Sequence, residues 1–95
     1  MRHFYVPYIG TEPAAVSLKG HNFIILSRDP APLLDGLSLI GADSLRELSC
    51  YSDDEEDQSL DELAREINGA IVIAPEHIQV SELLVNLELE LPWLH

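Results

Sequence analysis

Residues 59–69 spell out a helix together with both of its ends, so any fold of this chain must supply an apolar surface for that helix to lie on. Ser59 followed by Glu62 is a capping box, in which the serine hydroxyl accepts from one free amide and the glutamate reaches back to another. Leu60, Leu63, Ala64 and Ile67 then fall at i, i+3, i+4 and i+7 and share one face. Asn68-Gly69 supplies the stop, because glycine readily takes the left-handed conformation after a helix. The spacing predicts a helix over 59–68, too short to persist alone in water.

A docking surface is offered at once. Ala70-Ile71-Val72-Ile73-Ala74 is continuously apolar, rich in β-branched residues and ended by Pro75, which predicts a strand covered on both faces. If 45–51 is also a strand, residues 45–74 form a strand–helix–strand crossover, right-handed and pairing its strands in parallel. Residues 44–48 echo 59–63, so a helical turn with its own capping box remains open there.

Earlier segments read as sheet. Residues 3–9 are aromatic and β-branched and end at Gly10, predicting a strand that lies on an edge or is distorted at Pro7, since proline cannot donate to a ladder. A turn through Gly10 to Pro13 follows. Residues 15–18 and 23–26 flank the break Lys19-Gly20-His21-Asn22 and suggest a β-hairpin. Residues 29–32 carry two prolines and read as loop, with Asp29 also placed to cap a short helical turn over Leu33 and Leu34. Residues 37–40 suggest a short strand before Gly41. In 81–93, Leu83, Val85, Leu87, Leu89 and Leu91 alternate with Asn86, Glu88 and Glu90, which favours a strand, whereas leucine and glutamate favour a helix by propensity. Alternation is the cleaner pattern and predicts the strand.

The class expected is α+β, with mixed α/β as the alternative. It consists of a small, mainly antiparallel sheet, the helix at 59–68 and the βαβ crossover over 45–74. With 95 residues, two cores are not expected, and 1–95 reads as one domain. The N-terminus lacks a cationic region followed by an apolar run, no uncharged apolar run approaches the roughly 18 residues that span a bilayer, and Cys50 is the single cysteine. A reducing, cytoplasmic setting is expected.

Charge is distributed unevenly. In residues 1–42, Arg2, Lys19 and Arg28 balance Glu12, Asp29 and Asp35, whereas residues 43–95 hold fourteen acids against Arg46 and Arg65, so the net charge of −12 belongs to the second part. No basic footprint exists for nucleic acid or an anionic membrane, so neither is expected as a direct partner. A basic protein is.

The run Asp53-Asp54-Glu55-Glu56-Asp57 fails as a calcium loop, because contiguous acids lack the alternation and central glycine such a loop needs. It reads as a solvated loop whose charge favours the following helix N-terminus, or, joined by Asp61 and Glu62, as the surface that steers a cationic partner. Ser52, three residues before Glu55, also sits in an acidic context that some kinases prefer. Cys50 with His21 or His77 invites a nucleophile hypothesis, but nothing local fixes a base or an oxyanion hole, and a buried structural cysteine is the expectation. His77, after the apolar strand, occupies a place where functional residues gather in parallel sheets. The histidines lack ligand spacing, and neither a phosphate-binding loop nor a nucleophile elbow is present, so no catalytic, metal or cofactor residue is expected.

The leading functional expectation is a non-enzymatic binding module whose acidic C-terminal part docks a basic partner. That partner could be a nuclease toxin, bound as by an immunity protein or antitoxin, or a nucleic-acid-binding protein met by a mimic of phosphate charge. The alternative is a homo-oligomeric accessory subunit, such as a homodimer, joined through the apolar strand at 81–91 with Trp93 as anchor.

Overall fold

The computed structural model describes residues 2–75 and 78–90. They form a six-stranded mixed sheet with helices on both faces, an α+β architecture. The strands are β1 (Arg2–Ile9), β2 (Glu12–Pro13), β3 (Val16–Leu18), β4 (His21–Ser27), β5 (Ser44–Cys50) and β6 (Ala70–Ala74). The helices are α1 (Ala31–Leu34), α2 (Asp53–Ile67) and α3 (Val80–Glu90), with a 3-10 turn at Leu37–Ile40.

The register fixes the order across the sheet. Tyr8 of β1 pairs with Ser44 of β5 and Pro13 of β2, and Tyr5 pairs with Glu47 of β5 and Ser27 of β4, so β2 and β4 share the side of β1 opposite β5. Likewise β3 and β1 share the side of β4 opposite β6. The sheet therefore runs β5, β1, β4, β6, and the segment 12–18 fills a split between β1 and β4.

That split explains Pro7. β1 is not on an edge, contrary to the first of the two sequence alternatives. Instead, the Pro7 carbonyl accepts from the Ala14 amide at 2.9 Å, so the nitrogen of Pro7 also points into the split rather than at β5. The missing donor removes no bond to β5, and the sheet opens where proline stands.

The hairpin β3–β4 forms as expected. Lys19 (φ 50°) and Gly20 (φ 82°) both take positive φ between the paired residues Leu18 and His21, the combination that matches the twist of the flanking strands. At 29–32 the loop expectation gives way: Asp29 Oδ1 accepts from the Ala31 amide at 3.0 Å and α1 follows, with Pro32 in its first turn, where no donor is missed. The short strand expected at 37–40 is a 3-10 turn, closed by Gly41 at φ 69°.

The helix expected at 59–68 is α2, and it begins at Asp53. Its N-cap is Ser52, whose hydroxyl accepts from the Glu55 amide at 3.2 Å, while the Glu55 carboxylate reaches back to the Tyr51 amide at 3.2 Å. The working Ser-x-x-Glu motif is thus the upstream one, and the acidic run is the first part of the helix instead of a preceding loop. Four acids in the first turn add favourable interaction with the helix dipole. Asn68 takes the left-handed cap position at φ 52°, a role expected of Gly69. Ser52→Ala is expected to cost about 1 kcal/mol in a urea titration and Ser59→Ala, inside the helix, close to none.

The crossover over 45–74 is present with different neighbours. β5 is antiparallel to β1, β1 to β4, and β4 is parallel to β6, so β5 and β6 run the same way. They lie on opposite edges, however, and do not pair with each other. The strand buried from its third residue onward is β4, from Phe23 to Ser27, whereas β6, expected to be covered on both faces, is an edge strand with Ile73 42% exposed.

Two apolar layers result. On one face α2 brings Leu63, with Leu60 and Ile67, onto Phe4, Val6, Ile24 and Leu26. On the other, Ile25 and Ala74 meet Leu33, Ile40, Val80, Leu83 and Leu87. The strand expected at 81–91 is therefore corrected to the helix α3. Val80, Leu83 and Leu87 are buried at helical spacing, and Val85, which only alternation would have buried, is exposed. The homodimer contact imagined on a strand there loses its strand, and Trp93 lies outside the described residues.

Candidate functional site

Helix α2 gathers all seven acids singled out in the sequence: Asp53, Asp54, Glu55, Glu56, Asp57, Asp61 and Glu62. At 100° per residue they do not share one face. Glu56 points inward, 7% exposed, with Arg28 Nη2 at 3.7 Å from its Oε1. The Arg28 guanidinium lies 4.9 Å from the centre of the Phe4 ring, so one cation from the neutral part covers both a buried carboxylate and an aromatic face. Glu56 belongs to the interior and leaves the candidate surface.

The remaining acids form two flanks. Glu55, Glu62 and Glu66 follow one, and with Ser59 the last two line a groove of about 240 Å³ between α2 and the strands β1 and β5. Its floor carries Tyr8, over which the Arg46 guanidinium is stacked at 4.3 Å. Asp54, Asp57 and Asp61, at i, i+3 and i+7, follow the other flank and are exposed. Arg65 stands between the flanks near the C-terminal end, the one cation of α2. Because these acids fan outward around the helix, they do not converge on an ion. Among the described residues no group of three His, Cys, Asp or Glu side chains could hold a metal.

Cys50 closes β5 and is fully buried and free. His21 begins β4, and since β4 and β5 run the same way, the two sit at opposite ends of the sheet. The Cys50–His21 pairing is therefore not assembled, and His77 lies outside the described residues. Burial makes the thiol inaccessible to reagent, so its alkylation is expected to require unfolding; labelling of native protein at the rate seen in urea would contradict the packing of β5.

Sequence reading missed one cluster, because its members are far apart in the chain. His3 on β1 and Ser49 on β5 are register partners, and His3 Nδ1 lies 3.1 Å from Ser49 Oγ and 2.5 Å from Glu47 Oε1. Ser49 Oγ also donates to Glu47 Oε1 at 3.4 Å. The composition is that of a hydrolytic triad but the geometry is not. One ring nitrogen serves both partners, whereas a triad places serine and acid on different nitrogens. The arrangement is an exposed cross-strand polar cluster.

The described residues thus define a small α+β protein with one helix of concentrated negative charge. No helix among them is long and apolar enough to cross a membrane. Comparison of the chain with protein-family models, with curated proteins and with solved structures gives no match.

Proposed function

We propose that this protein is a non-enzymatic binding module that docks a basic protein through the outward side of α2. The observation that carries this reading is the set of exposed acids Asp54, Asp57, Asp61 and Glu62 on one helix, with Arg65 as its sole cation. Such a surface steers a cationic partner and weakens with salt, because charges further apart than about 8 Å are screened at physiological ionic strength. A cytoplasmic nuclease toxin or another nucleic-acid-binding protein presents the required basic face. Asp53 and Glu55 border the surface, although the Glu55 carboxylate is also engaged by the Tyr51 amide.

The test is retention of a basic protein from lysate on the tagged chain. Retention at low salt, release at high salt, and loss in the Asp54→Asn, Asp57→Asn, Asp61→Asn, Glu62→Gln variant are expected. A retained partner indifferent to both salt and these substitutions would refute the docking role of α2.

A further inference from the structure

The two edges of the sheet differ in a way that narrows how a partner binds. β5, on one edge, carries Arg46 and Glu47, charges of the kind that discourage a further strand. β6, on the other, reads Ala-Ile-Val-Ile-Ala, without charge or proline. Among the described residues it pairs with β4 alone, and no other strand and no turn hydrogen bond occupies its outer side. Ile73 is exposed beside that edge.

The aspartate flank of α2 borders the same edge. At 100° per residue from Ser59, Glu62 and Glu66, which line the groove toward β5, Asp54 points outward and Asp57 and Asp61 lean to the opposite flank, the β6 side. A strand added to β6 would place alternate side chains on the α2 face, beyond Ile71 and Ile73 and toward these aspartates. Positive side chains there are matched in charge. A second copy of this chain, itself at net −12, would bring two such flanks together and is opposed.

We infer that the outer edge of β6 accepts an extended, lysine- or arginine-bearing segment of the partner protein as an additional strand, its basic side chains set against Asp57 and Asp61. This rests on the docking role proposed for α2 and adds to it the backbone ladder of β6.

The probe is a blocked seven-residue peptide alternating lysine and valine, compared with the same peptide N-methylated at every backbone nitrogen, which keeps the charge and removes the ladder donors. Titration at low salt with amide hydrogen exchange read residue by residue is expected to show new protection by the parent peptide of those amides in 70–74 that do not donate to β4. The methylated analogue is expected to bind about tenfold or more weakly, a difference of about 1.4 kcal/mol. Asp57→Asn with Asp61→Asn is expected to weaken the parent peptide about three- to tenfold. Equal binding of both peptides without protection of β6 would overturn the edge while leaving the acidic docking of α2 intact. Binding of neither would remove both. Protection, without peptide, of those β6 amides that do not donate to β4 would also overturn it, a dimer mass in light scattering then identifying a second copy on the edge and a monomer mass the chain itself.

Discussion

Phe4→Ala is expected to cost about 3–5 kcal/mol, enough to consume much of the roughly 5–15 kcal/mol that holds a domain of this size. Phe4 is fully buried in the layer under α2, packed with Val6, Ile24, Leu26 and Leu63, and its ring also carries the Arg28 guanidinium that serves Glu56. Truncation opens a cavity and loosens the positioning of a cation beside a buried carboxylate. At about 4–8 °C per kcal/mol for a small domain, the melting temperature falls by tens of degrees. Tyr51→Ala is the control: at 75% exposure that side chain is expected to change stability by no more than about 0.5 kcal/mol. Similar melting of the two variants would contradict the seating of β1 under α2.

Gly69→Val is expected to be comparably damaging for a steric reason. A Cβ at Gly69 would stand 2.3 Å from the Asn22 carbonyl oxygen and 2.8 Å from its carbonyl carbon. These are backbone atoms of β4 and cannot rotate aside, and the Asn22 side-chain amide also donates to the Ile67 carbonyl at 3.4 Å, tying the end of α2 to the same residue. Relief requires lifting the turn between α2 and β6 away from β4, which disturbs the first pair of the parallel ladder, Phe23 with Ala70. A loss of about 3 kcal/mol, at the upper end of overpacking effects, is expected in denaturant titration, together with faster exchange of the β6 amides. Gly10→Ala separates strain from collision: Gly10 has φ 60° but open space around its Cβ position, so only the left-handed backbone penalty of about 1–2 kcal/mol applies. Equal losses for the two variants would remove the close approach as the cause.

Much of this fold was legible in residues read a few at a time. Lys19-Gly20 between two apolar runs announced the β3–β4 turn, and Asn68-Gly69 after an apolar stripe announced the end of α2. The candidate site was legible to the same degree: the acids were visible in the sequence, but the inward turn of Glu56 was not, because it depends on Arg28 and Phe4 arriving from distant strands. The beginning of α2 shows the limit. Ser52-x-x-Glu55 and Ser59-x-x-Glu62 are the same signal, and the upstream one acts because β5 delivers the chain to that point and the acids of the run suit a first turn.

Turns, caps, the apolar stripe of α2 and the placement of charge along the chain are local properties, set by backbone preference and side-chain chemistry over a span of about four residues. Strand order, the central position of β1 despite Pro7, and the helical state of 80–90 came from packing. Leu83 and Leu87 fit alternation and helical spacing alike, whereas Val80 fits only the helical spacing, and burial of all three with Leu33, Ile40 and Ala74 selects the helix. The same cause puts β6 on the edge and β4 in the middle: both are apolar runs, and only long-range neighbours, which no short window of sequence contains, decide which of them is covered on both sides.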